Sequence, residues 1–336
     1  MSPGDLQHYL ARIIESDVKL SVMIWGAPGI GKSQTVSAVA KDHELDLVDL
    51  RLSQLAPTDL RGLPVADRKE AISRWYPPEF LPTGGKGILF LDELNMAPPA
   101  VQGIAQQLIL DRCVGSYTLP DSWFVWAAGN RQEDGAAVFS MPSALQNRFI
   151  HLDTEPEFDA FRSWALENEI HEQIIAFLGW RPMLLHKLDR SEPAWPSPRS
   201  WAAANQLHRA GLDVTPAVGR AAAQEFATWL TVYEKIPDLD SIISGKGAKI
   251  PFPKEASVRY ATTLGLAVRS KDSKTITNSF GWLLKEAKPE WLQLFLHSKI
   301  DTAAQEGTLG TIASMINTNA RVKEFIETYR NFMAQM

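Results

Sequence analysis

Several things are missing from this chain of 336 residues, and each absence excludes a class of protein. It has a single cysteine, Cys113, so an internal disulfide framework is excluded and a reducing compartment is expected. No apolar run reaches membrane-spanning length, and Met1-Ser2-Pro3-Gly4-Asp5 has neither a charged n-region nor a following h-region. A cytoplasmic location with no membrane span is the resulting expectation. Dense Lys/Arg blocks are lacking too, and the net charge is −5, which speaks against nucleic acid as the partner of the whole surface. The histidines (His8, His43, His151, His171, His186, His208 and His297) are scattered without metal-ligand spacing and read as surface or helix-face residues. There is no internal repeat and no low-complexity tract.

What remains is an ordinary globular composition, 45% apolar and 22% charged, in a length that allows two or three domains. One stretch organises it: Gly26-Ala27-Pro28-Gly29-Ile30-Gly31-Lys32-Ser33, with the spacing G-x-x-x-x-G-K-[ST]. Ser21 to Trp25 before it reads as a buried strand, and Gln34 to Lys41 after it as a helix. Glycines let such a loop wrap with its N–H groups turned inward around phosphate oxygens, at the positive end of the following helix. Lys32 would add charge at the β- and γ-phosphates, and the Ser33 hydroxyl would take a Mg²⁺ position. The bland alternative is a strand-to-helix turn that uses glycine for geometry alone, but the full spacing together with these flanks is seldom met by accident. This stretch, with Gln34 just behind it, is expected to bind ATP.

Gly87-Ile88-Leu89-Phe90-Leu91-Asp92-Glu93 is the second signal. It reads as a parallel-sheet strand that delivers two acids at its C-terminal edge, where open α/β sheets bind ligands. Asp92 would hold Mg²⁺ and Glu93 would polarise the attacking water; two solvated acids at a strand end are the plainer alternative. A third strand, Trp123 to Ala128, ends on Gly129-Asn130. Asn130 could contact the γ-phosphate or the water, or simply close an Asx turn, and the sequence leaves both open. Further strands are expected at Asp46–Leu50 and Phe149–Leu152. Leu63–Val65 and Ile72–Tyr76 suggest an inserted hairpin, in which Trp75-Tyr76 either packs inward or faces a pore or partner.

Beyond about residue 153, helix-period segments replace strands. Expected helices cover Glu155–Leu166, His171–Leu178 and Arg199–Ala210, the last with Ser197 as N-cap and Pro198 as first residue. Another runs from Thr215-Pro216 through Tyr233, and more from about 254 to the end. Seven of the eleven tryptophans lie beyond residue 150, where they would pack helices together.

With these pieces in order, residues 5–235 resemble the AAA+ ATPases, and within them the MoxR-like group with its helix-2 insert. Gly26–Ser33 matches Walker A, Ile88–Glu93 Walker B, and Asn130 sensor 1. Leu145-Gln146-Asn147-Arg148-Phe149 resembles the arginine-finger segment, Pro196-Ser197-Pro198-Arg199-Ser200 sensor 2, residues 59–80 the insert, and Arg112–Leu119 the pre-sensor hairpin. The resemblance implies an α/β P-loop core with a parallel five-stranded sheet over residues 1–152. A helical lid would follow over 153–240, and a helical C-terminal extension over 241–336. It also implies a homo-oligomeric ring, a hexamer, with Arg148 reaching the nucleotide of the neighbouring subunit and Arg199 sensing it within its own. A cation in a first helical turn opposes the helix dipole, which an anionic ligand near Arg199 would explain. Arg131 is a rival for the contact in trans.

Members of this group act as remodelling chaperones with a von Willebrand factor A-domain partner, and this is the function the resemblance implies. A nucleic-acid motor and a low-turnover nucleotide switch are the alternatives. Intact Glu93, Asn130 and Arg148 speak against the switch, and the acidic balance against the motor.

Overall fold

A computed structural model describes residues 1–134, 138–303 and 307–318. It divides into two compact units, one from Met1 to Glu157 and one from Phe158 onward.

The first unit opens with helix α1 (Pro3–Glu15), capped by Ser2 and Asp5 in a reciprocal capping box. Then come β1 (Val22–Trp25), α2 (Lys32–Asp42) and β2 (Asp46–Arg51). Helix α3 (Pro57–Arg61) leads into the antiparallel hairpin β3 (Leu63–Asp67) and β4 (Ile72–Tyr76), where the sequence placed an insert. After β5 (Gly87–Asp92) and α4 (Pro99–Leu110), a second small hairpin pairs β6 (Cys113–Val114) with β7 (Tyr117–Thr118). Strand β8 (Trp123–Gly129), helix α5 (Ser143–Gln146) and β9 (Ile150–Asp153) complete the unit.

Five strands form one sheet in the order β2-β5-β8-β1-β9, every neighbouring pair parallel. Its two faces are read directly from the period-2 alternation. In β5 and β8, Leu89, Leu91, Trp123, Val125 and Ala127 point into one core, shared with α4. Ile88, Phe90, Phe124, Trp126 and Ala128 point into the other, shared with α1 and α2. Both faces being covered, these strands are continuous apolar runs, as buried parallel strands require. Helix α5 ends at Gln146, so Arg148, an exposed residue, lies just past its end.

The insert separates the two aromatics that the sequence left together. Trp75 lies under the Arg61 guanidinium, 4.4 Å from ring centre to carbon, and its carbonyl accepts from the Ser116 hydroxyl at 2.6 Å. Tyr76 shares the opposite face of the hairpin with Leu63, Val65 and Ile72, and all four are exposed.

The second unit is helical among its described residues. Helices α6 (Phe158–Glu167), α7 (Glu172–Trp180), α8 (Pro198–Arg209), α9 (Thr215–Val218) and α10 (Arg220–Tyr233) surround a core holding Phe177, Trp201, Phe226 and Trp229. Ser197 caps α8 as its sequence implied, accepting from Ser200 N at 3.1 Å. The single helix expected from Thr215 to Tyr233 is instead two. Gly219, at φ 79°, breaks it, and a Cβ there would lie 2.5 Å from the Ala194 carbonyl oxygen. Helix α6 starts at Phe158 rather than Glu155, since Pro156 biases Glu155 away from helical backbone. Helices α11 (Leu239–Ile243), α12 (Ala256–Arg269), α13 (Ser273–Glu286), α14 (Pro289–Ala303) and α15 (Leu309–Thr318) build a further core around Phe280, Leu283 and Phe295. Helix α12 contributes to both cores, with Ala261 and Leu264 in one and Leu266 and Ala267 in the other. The expectation of helix to the chain end falls, for residues 319–336, outside the described residues. No helix among the described residues is long and apolar enough to cross a membrane.

Two histidines are more enclosed than the sequence suggested. His171 caps α7, its Nδ1 accepting from Gln173 N at 3.3 Å, and its ring meets His208 edge-on with 4.8 Å between centroids. Burial first, then the charges of His208, Arg209 and Arg269, hold His171 below its ordinary value of 6.5 against the opposing pull of Glu172; burial does the same for His208. The unfolded chain therefore takes up protons at a higher pH than the fold does. Stability is fully present above about pH 6.5 and declines as pH falls through that value. The denaturant midpoint should drop between pH 7.5 and 5.5, and a His171→Gln/His208→Gln double variant should flatten that dependence.

Candidate nucleotide site

A parallel sheet brings the C-terminal ends of all its strands to one edge, and here that edge gathers the chemistry. Strand β1 runs into the glycine loop, β5 ends on Asp92 and Glu93, β8 on Asn130, and β2 leads to Ser53. The loop takes left-handed backbone at Gly29 (φ 81°) and Gly31 (φ 98°), and Gly31 caps α2 without a side chain. A loop of this shape turns backbone N–H groups inward at the start of an eleven-residue helix.

Lys32 lies over the loop. Its ammonium donates to the carbonyls of Gly26 (2.7 Å) and Ala27 (3.0 Å) and to Asn130 Oδ1 (2.9 Å). The structure thus brings Asn130 to the loop lysine. Ser33 Oγ donates to Asp92 Oδ2 at 2.5 Å, and the other Asp92 oxygen accepts from Glu93 N at 2.8 Å. Glu93 itself adopts left-handed backbone (φ 57°), unusual for a residue with a side chain and costing on the order of 1 kcal/mol or more. The turn re-aims its carboxylate, which accepts a hydrogen bond from the Ser53 hydroxyl.

Three carboxylates crowd this edge. Asp49, on the outer strand β2, is pushed above the ordinary carboxylate range, by burial first, then by Asp92, with Glu93 adding and Arg51 opposing. Among the described residues no group of three His, Cys, Asp or Glu side chains is arranged to hold a metal. A Ser33 hydroxyl beside an Asp92 carboxylate nonetheless fits Mg²⁺, which takes few protein ligands and completes its shell with water and phosphate oxygens.

The remaining site residues are placed as follows. Ala27 and Ile30 are buried within the loop, Pro28 is half-buried, and Gln34 is exposed on the first turn of α2. Arg148 is exposed, with Nη1 3.4 Å from the Ala144 carbonyl. Arg131 is engaged within its own unit, paired with Asp134 at 3.0 Å and with Glu133 and Glu155 at 3.5 Å each. Arg199 is exposed in the first turn of α8, in the second unit. Sequence reasoning assigned no role to Ser53 or Asn95. Ser53 carries no motif at all, and Asn95, two residues past Glu93, proves to be buried against Asn130.

Taken together, a glycine loop between a parallel strand and a helix, a lysine over it, and a hydroxyl–carboxylate pair at the next strand's tip define a P-loop nucleotide-binding domain. Residues 21–151 of the chain match the model of the ATPase family associated with various cellular activities, the AAA family. The five-stranded parallel core followed by helices is the architecture of AAA+ proteins. Midasin of Giardia intestinalis is 29% identical over 156 residues, which amount to 44% of this chain and only 3% of that protein. Among solved structures, a variant of Thermotoga maritima RuvB is 16% identical with a TM-score of 0.41, over 77% of this chain and 80% of that one. NtrX of Brucella abortus in complex with ADP is 15% identical with a TM-score of 0.37, over 90% of this chain and 68% of that one.

The charge crowding can be tested directly. Asp92→Asn should lower the pKa of Asp49 in a ¹³C carboxyl NMR titration, and by more than Glu93→Gln does, because Asp92 is the larger electrostatic cause.

Proposed function

We propose that the chain is an ATP-hydrolysing AAA+ protein of the MoxR-like kind, working as a ring, a hexamer, in which each active site is completed by a neighbouring subunit. The observation that carries this reading is the convergence of Lys32, Ser33, Asp92, Glu93 and Asn130 on one sheet edge. In it, the loop N–H groups and Lys32 bind the phosphates, and Ser33 and Asp92 hold Mg²⁺. The ion, when bound, neutralises charge on the phosphate oxygens. Glu93, held by Ser53, accepts the proton of the attacking water. Asn130, already 2.9 Å from the loop lysine, orients that water or the γ-phosphate.

Arg148 is the residue proposed to act in trans. Its side chain is exposed, whereas the charge of its rival Arg131 is offset by three carboxylates of the same unit. A cation delivered across an interface stabilises the charge of the transferring phosphoryl group, which makes hydrolysis conditional on assembly. Arg199 is assigned the corresponding contact within the subunit, on the helical lid. The energy released would remodel or activate a protein complex, with a von Willebrand factor A-domain protein as partner. The exposed hairpin face of Leu63, Val65, Ile72 and Tyr76 suits a protein contact, as exposed aromatic and aliphatic anchors do.

ATP hydrolysis measured against protein concentration tests this. The specific rate should climb as subunits assemble, and should fall by roughly 10³-fold or more in Arg148→Ala while nucleotide binding survives. A rate independent of concentration and indifferent to Arg148 would sink the shared site.

A further inference from the structure

We propose that Asn95 is a positioning residue for hydrolysis, holding the Asn130 side chain in register with Glu93. The inference rests on the reading of Asn130 as a γ-phosphate or water contact.

Asn130 follows the last residue of β8, where the ladder runs out. Strand β1 pairs with β8 as far as Gly129, and β5 only as far as Ala127. The backbone of residue 130 is buried and still needs a donor and an acceptor. Asn95 supplies both with one side chain. Its Nδ2 donates to the Asn130 carbonyl at 2.7 Å, and its Oδ1 accepts from the Asn130 N–H at 3.1 Å. This two-point clamp imitates a strand neighbour and fixes the plane from which the Asn130 side chain leaves.

The approach requires a bare backbone alongside. A Cβ on Gly129 would lie 2.6 Å from Asn95 Oδ1 and 2.5 Å from Met23 Cε, so only glycine admits the amide. Asn95 is itself anchored, 4% exposed, with its carbonyl accepting from Phe139 N at 2.7 Å. The same turn provides Met96, whose Sδ accepts from Asn130 Nδ2 at 3.0 Å. That leaves Asn130 Oδ1 aimed at Lys32.

The turn Leu94–Met96 begins immediately after Glu93. The group that activates water and the group that orients its target are therefore fastened together through a two-residue link, independently of the sheet ladder. Small displacements of such groups cost rate rather than binding. A merely structural asparagine, one that only satisfies buried backbone, would instead act additively with Asn130.

The test is a double-variant cycle on the full chain, comparing Asn95→Ala, Asn130→Ala and the pair for kcat, affinity for a fluorescent ATP analogue, and melting temperature. Asn95→Ala should lower kcat by roughly 10- to 100-fold while nucleotide affinity stays within about twofold. The pair should be no slower than Asn130→Ala alone, within about a factor of two. If Asn95→Ala does not fold, Asn95→Asp serves, since it preserves shape and the bond from the Asn130 N–H but loses the one to its carbonyl. Unchanged kcat in a folded Asn95 variant, or losses that multiply in the pair, overturns the inference while leaving the role of Asn130 intact. An Asn130→Ala variant of native kcat overturns the reading of Asn130 and this inference with it.

Discussion

The parallel register of the five-stranded sheet is the constraint on which the rest depends. Strands that run the same way must end at the same edge, and β1, β5, β8 and β2 each hand their next residues to that edge. The edge holds because both faces of the sheet are buried, so the alternation of Leu89, Leu91 and Val125 with Ile88, Phe90 and Trp126 fixes the register. A slip of one residue would turn each strand's core set to the wrong face. The glycine loop, Asp92, Glu93 and Asn130 meet without sharing any local sequence because the cores leave no other alignment.

On that frame, polar contacts do the fine adjustment. Lys32 spans from the loop carbonyls to Asn130, Ser33 joins α2 to the tip of β5, and Ser53 joins the end of β2 to Glu93. The bonds of Lys32 to Asn130, of Ser33 to Asp92 and of Ser53 to Glu93 each join the end of one strand, or the segment after it, to that of another. The cost of the left-handed backbone at Glu93 is met by this surrounding network, which is where backbone strain in folded proteins is usually kept. The mutual influence of Asp49, Asp92 and Glu93 is the electrostatic counterpart, a local excess of negative charge.

Much of this was legible in the sequence because its signals are local. A glycine loop with a strand before it and a helix behind it carries its own context, and the apolar runs ending in Asp92-Glu93 and Gly129-Asn130 announce both strand and edge. Even the insert hairpin followed from two β-rich runs around Asp67-Arg68-Lys69-Glu70. What escaped were contacts between residues far apart in the chain. Ser53 meets Glu93 across forty positions, and Asn95 meets Asn130 across thirty-five; neither pair leaves a periodic trace. The parting of Trp75 from Tyr76 depends on Arg61 and Ser116, and the break at Gly219 on the Ala194 carbonyl. Helix periodicity alone carries straight through that glycine, because nothing in the local pattern reports a backbone packed against it.

The central claim is that Glu93 performs hydrolysis at a site whose binding function belongs to the loop and Lys32. The most direct measurement compares ATP binding and turnover in the native chain, in Glu93→Gln and in Lys32→Ala, each with Mg²⁺ present. The account predicts that Glu93→Gln retains ATP but loses turnover by roughly 10²-fold or more, and that Lys32→Ala loses binding as well. Turnover at the native rate in Glu93→Gln, or undiminished nucleotide affinity in Lys32→Ala, would contradict it.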